Sequence, residues 1–186
     1  MPKEQKRDEL LAAAAELLVL DGYEAASMSR IAKRAGVTPN TLYWYFRDKD
    51  ELLVAVADLY IHALVEEHTA LHGSPLAEQL AWLVRRLRPV KHLVVTVHNR
   101  AAVSEVVRAW HVGFHQTFEQ LFEHQLPGRV AADRYAAEAA TATFALEGAI
   151  THDLDDATTR QLCQIVADHL HHIASTSPAP EVARRM

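Results

Sequence analysis

One cysteine, Cys163, stands in 186 residues. It excludes an internal disulfide and any metal motif built on cysteine pairs, and it suits a reducing compartment. Six Gly and seven Pro leave few sharp turns, so the abundant Ala and Leu are free to run in long helical stretches. No apolar run approaches the ~20 residues of a bilayer-spanning helix. One stretch imitates a targeting segment: Lys3, Lys6 and Arg7 precede the apolar run Leu10 to Leu20. The imitation fails, because Glu4, Asp8 and Glu9 sit among those cations, Glu16 interrupts the run, and Asp21 and Gly22 follow without a cleavage site. A soluble cytoplasmic protein with no membrane partner is expected.

The grammar of catalysis is missing too. There is no GxSxG, no HExxH and no glycine-rich phosphate loop. No Glu is followed three residues later by His, which removes the di-iron pattern of helical bundles. The surroundings of Cys163 carry no mark of a reactive thiol. The chain reads as non-enzymatic, with no cofactor.

What is present centres on residues 27 to 49, SMSRIAKRAGVTPNTLYWYFRDK. Ser27 can cap a short helix that turns Ile31, Ala32 and Ala35 inward, and Gly36 supplies a left-handed residue to end it. Thr38 offers a second capping hydroxyl, Pro39 suits the first helical position, and Leu42 and Phe46 fall four apart. Two short helices joined through glycine make a helix-turn-helix. With Leu42 and Phe46 inward, the successive Tyr43, Trp44 and Tyr45 cannot all be buried on one face. Together with Asn40 and Thr41 they suit DNA, because Asn can pair with an adenine edge while hydroxyls and cations meet phosphates. The window holds five cations and one acid, a net of +4, in a chain of net charge −5. A local positive surface on an acidic protein is expected where one face approaches a polyanion.

The run GYEAASMSRIAKRAGVTPNTLYWYFRDKDELL resembles the DNA-binding signature of the TetR family of bacterial transcriptional regulators, over roughly residues 7 to 55. The resemblance implies backbone contacts for Thr41, Tyr43 and Lys49 and a base-facing set of Pro39, Asn40, Trp44 and Tyr45. Ser29 and Arg30, on the first helix of the motif, complete the expected DNA surface. Arg30 departs from the family, where an acid often stands; it is read as a phosphate contact or as a solvated cation.

The remaining sequence is also helical. A first helix spans about Lys3 to Leu20, with Tyr23 packing back on it after Gly22. Asp48 and Glu51 cap a long helix reaching about Leu71, then His72 to Pro75 breaks the chain. Further helices are expected from Leu76 to near Pro89, over Lys91 to Asn99, over Ala102 to Gln125, and over 133–152 and 156–175. Val103, Val107, Trp110, Phe114, Phe118 and Leu121 form the inward stripe of the segment from Ala102 to Gln125. The expected fold is all-α, about nine helices, with a helix-turn-helix domain at 1–48, an effector-binding and dimerisation domain at 49–176 and a tail at 177–186.

In the last two helices Ala137, Ala140, Phe144 and Gly148, then Leu162, Val166 and Leu170, can pair two chains through a four-helix bundle; an intramolecular core would use the same stripes. The family resemblance implies homodimerisation there, a double-stranded DNA operator, and release by a small-molecule effector, hence a repressor. Helices that would surround its pocket carry Trp82, His98, Trp110, His111, Phe114, His115 and Phe118, with Thr143 and Glu147 as polar groups; an aromatic stripe also suits plain core. His111 and His115 lie four apart, and His169, His171 and His172 cluster, but neither group has an evident third ligand. No metal is assigned. A metal-responsive regulator, or a helical adaptor that no longer reads DNA, are the alternatives.

Overall fold

A computed structural model describes the backbone of residues 3–125 and 132–176, with side chains outside 118–133 and 176. No strand occurs among the described residues. The helices are α1 (Lys3–Leu20), α2 (Gly22–Ala25), α3 (Met28–Arg34), α4 (Pro39–Tyr45) and α5 (Lys49–His68). After a 3₁₀ turn come α6 (Leu76–Leu87), a second 3₁₀ turn, α7 (Lys91–Ala101), α8 (Glu105–Gln125), α9 (Ala132–Thr151) and α10 (Asp156–Thr176). No described helix is long and apolar enough to cross a membrane.

The chain forms two compact units, Met1–Ala70 with Pro89–Gly113, and Leu71–Arg88 with Phe114–Met186. In the first, α1 places Leu10, Leu11, Ala14 and Leu18 on its buried side and packs on α2, α3, α5 and α7. Leu10, Leu18, Ile31, Leu42, Phe46, Leu52, Leu53 and Val56 are essentially solvent-free. Each contributes about 1.5–3 kcal/mol of burial, which fastens the short α3 and α4, helices too brief to stand alone.

In the second unit α6 packs on α9 and α10, which also pack on each other. Leu80, Val84, Leu146, Ile150, Leu170 and Ile173 are buried there. Arg88, just past α6, donates from Nη2 to Thr159 Oγ1 at 2.7 Å and to the Ala149 carbonyl at 3.4 Å, so one guanidinium ties the end of α6 to both neighbours.

Several expectations shift. Gly22 ends α1 with a left-handed φ of 78° but at once opens the extra turn α2. α5 stops at His68, short of Leu71. α8 opens at Glu105, not Ala102, because the amides of Val103 and Ser104 both close on the Arg100 carbonyl. Val103, expected inward, sits in that turn and is 70% exposed. By contact, α5, α7 and the start of α8 group with the helix-turn-helix. The segment 177–186, the expected tail, lies outside the described residues.

Candidate nucleic-acid interface

The motif is built by local capping. The Ser27 hydroxyl accepts from the Arg30 amide at 3.3 Å and opens α3. Gly36 takes φ 67° after it. The Thr38 hydroxyl accepts from the Thr41 amide at 3.2 Å, with Pro39 next to it in the first turn of α4. Two of the amides that a helix start leaves orphaned are thereby satisfied. Leu42 is fully buried, and so is Phe46, which follows the last helical residue in extended backbone and caps α4.

That anchoring fixes what points outward. Pro39 and Asn40 are exposed, Tyr43 is 51% and Trp44 64% exposed, and Thr41 and Tyr45 are half-buried. Trp44 and Tyr45 stack edge to face at 4.7 Å, which stiffens the pair. Lys3, at the start of α1, holds its ammonium 4.5 Å from the Trp44 ring, and Arg7 lies 5.4 Å from Phe46. Sequence reasoning weighed these two cations only against a targeting segment; helix period through Leu10 and Leu18 was the signal that could have placed them beside α4.

The cations of the motif are less available than their number suggests. Arg30 bonds Asp21 at 2.7 Å and the Ala25 carbonyl at 2.7 Å. Its side chain, 52% exposed, reaches back and fastens α3 to the preceding turn. Arg34 pairs with Glu16 of α1, a bond that raises its pKa, and Arg47 with Asp48 at 3.3 Å. Lys49 donates to the Tyr23 carbonyl at 2.7 Å and lies 3.9 Å from that ring. Asp21 and Glu16 come from outside the window, so the +4 of the linear segment overstates the local charge. Ser29 and Lys33 are exposed on α3.

The expected pocket residues divide between the units. In the first, the Trp110 indole donates to Asp58 at 2.6 Å, and the His98 and His111 rings meet edge to face at 4.6 Å. In the second, Trp82 and Phe114 are half-buried, and His115 lies 3.4 Å from Glu147. Thr143 is buried and donates to the Ala139 carbonyl of its own helix at 2.9 Å. The Phe118 side chain lies outside the described residues. His169 meets Glu138 at 2.7 Å, pulling the Glu138 carboxyl below its usual range. On the expected pairing face, Ala137 and Phe144 are exposed, Ala140, Gly148, Leu162 and Val166 are half-buried, and Leu170 is in the chain's own core.

A sequence profile of bacterial regulatory proteins, tetR family, matches residues 10–56, from the core of α1 through the first turns of α5. Over these residues the chain is similar to the DNA-binding domain of the TetR family. An HTH-type transcriptional activator, FasR, of Mycolicibacterium smegmatis is 45% identical over 65 residues, 35% of this chain and 30% of that protein. The fatty acid metabolism regulator protein of Bacillus subtilis is 30% identical over 108 residues, 56% of this chain and 53% of that protein. The matches thus span about half or less of these curated relatives. A solved transcriptional regulator from Rhodococcus sp. RHA1 superposes with a TM-score of 0.75 at 19% identity, over 92% of this chain and 98% of its own. The shared fold is a helix-turn-helix domain followed by a helical one.

Proposed function

We propose that this chain is a ligand-responsive repressor of the TetR family, acting in the cytoplasm as a homodimer on a near-palindromic operator and released by a small molecule bound after residue 49. The observation that carries the proposal is α4, capped by Thr38, anchored by Leu42 and presenting Asn40, Tyr43 and Trp44 to solvent. A solvated helix gains nothing from that aromatic surface, while a duplex supplies groove and sugar-phosphate partners for it. Asn40 is assigned to base readout, with Pro39, Trp44 and Tyr45 beside it; Thr41 and Tyr43 are assigned to the DNA backbone, and Ser29 to the flank.

Pairing is supported by two large apolar side chains left in water, Phe144 on α9 at 67% exposure and Ile165 on α10 at 68%. Ala137, Ala140, Gly148, Leu162 and Val166 accompany them on those helices. One reader touches few base pairs, whereas two set roughly 34–36 Å apart enter successive major grooves. An effector that displaces α5, which is separated from α4 by three residues, then alters that spacing and weakens both half-sites together.

Selection of bound sequences from a random duplex pool, at moderate salt, tests this. The expected product is a near-palindrome with half-sites about one helical turn apart. An enriched motif without two-fold symmetry would remove the dimeric part of the proposal, and no enrichment, even after ligand stripping by unfolding and refolding, would remove the DNA-reading part.

A further inference from the structure

The helix-turn-helix hangs between two chain ends, and both ends meet in one polar cluster of the first unit. Tyr23, in α2, precedes the Ser27 cap; Lys49 and Asp50, the first residues of α5, follow the end of α4. Lys49 donates to the Tyr23 carbonyl and the Tyr23 hydroxyl donates to Asp50 Oδ1, so the two ends are tied twice. A third party comes from fifty residues away. Arg100, near the end of α7, donates from Nε to Asp50 Oδ1 at 2.9 Å and from Nη2 to Asp50 Oδ2, a two-pronged fork. Its guanidinium also lies 5.1 Å from the Tyr23 ring. Ser104, in the turn after α7, is buried.

The Asp50 and Arg100 side chains keep only 14% and 29% of their exposure. A partly buried ion pair gains little net stability over apolar packing of similar volume. What a bidentate fork adds is a single geometry. Here that geometry sets the base from which the recognition helix projects, and α7, which packs on α1, α2 and α5, carries it.

We infer that Arg100 is a positioning residue for DNA reading, holding through Asp50 and Tyr23 the two chain ends that carry α3 and α4, so that α7 sets the angle of the reader. This rests on the DNA-binding proposal above. It places a control point on α7, outside the segment matched by the family profile.

The full-length protein and three variants test it: Arg100→Lys, which keeps the charge and loses the fork, Asp50→Asn, and the double variant. Two probes are used, a duplex recovered from the random pool by the unaltered protein and a random-sequence duplex of equal length. Arg100→Lys should weaken binding to the recovered duplex about tenfold, with random-duplex affinity and salt slope unchanged, because a misplaced reader loses base contacts before phosphate attraction. The double variant should be no weaker than the weaker single one, the mark of one shared interaction. Tyr23→Phe, which removes only a hydroxyl, should lose about threefold on the recovered duplex alone and covers the case in which Arg100→Lys fails to fold. Arg100→Lys binding the recovered duplex as the unaltered protein does, or losing equally on both probes, overturns the inference while leaving the DNA-binding proposal intact. Failure of the unaltered protein to enrich any duplex overturns both.

Discussion

Gly36 turns the chain between α3 and α4 at φ 67°, and an added Cβ there would meet no atom within 4 Å. Its requirement is therefore conformational. Gly36→Ala should cost about 1–2 kcal/mol, the penalty of a left-handed L residue, measured by denaturant unfolding; a loss near zero would show that the turn relaxes. Gly36, Ser27, Thr38, Leu42 and Phe46 were all legible in sequence, because each acts within four residues of its partner or by apolarity alone. Arg30, Arg34 and Lys49 were not. Their partners Asp21, Glu16 and the Tyr23 carbonyl lie from nine to twenty-six residues away, and composition counts a cation without seeing what neutralises it.

Among elements, the base of α5 carries a pH signature. Partial burial pushes the Asp50 carboxyl up, but hydrogen bonds from Arg100, Tyr23 and Ser104 outweigh it and hold the group below its ordinary value. A depressed acid stabilises the fold above its unfolded pKa of about 3.9, and that contribution is lost as pH falls through the lower folded value. Burial, then the bond to Asp50, raises the Tyr23 phenol. Its contribution is complete below the unfolded pKa of about 10 and is lost as pH rises through the higher folded one. Asp50→Asn should thus flatten the acid limb of the stability profile and Tyr23→Phe the alkaline limb. Unchanged limbs in melts across pH would contradict the cluster. Helix limits followed caps and breakers closely, yet α2 went unseen because one turn has no periodicity, and Val103 was misplaced because apolar spacing continues through a turn.

At the scale of the molecule, the all-helical fold was readable from composition and period, and the likeness to TetR-family regulators from one motif. The division into compact units was not, because α7 joins the first unit through contacts with α1, α2 and α5 that no local pattern announces. On the proposed pairing face, Phe144 of α9 is exposed, as pairing would require, whereas Leu170 of α10 lies in the chain's own core. Phe144→Glu should shift the protein from dimer to monomer in sedimentation and lower operator affinity by at least about tenfold, since a monomer keeps one half-site. A dimer that survives this change would place the interface elsewhere.

The central claim is that the exposed face of α4 reads base pairs, and its most direct test compares Asn40→Ala with the unaltered protein on the selected operator and on an operator altered at one position per half-site. The unaltered protein should discriminate the two by about 1–3 kcal/mol per bidentate contact, and Asn40→Ala should bind them equally. If Asn40→Ala instead loses the same affinity on both, with discrimination intact, the helix contacts DNA without reading it at Asn40.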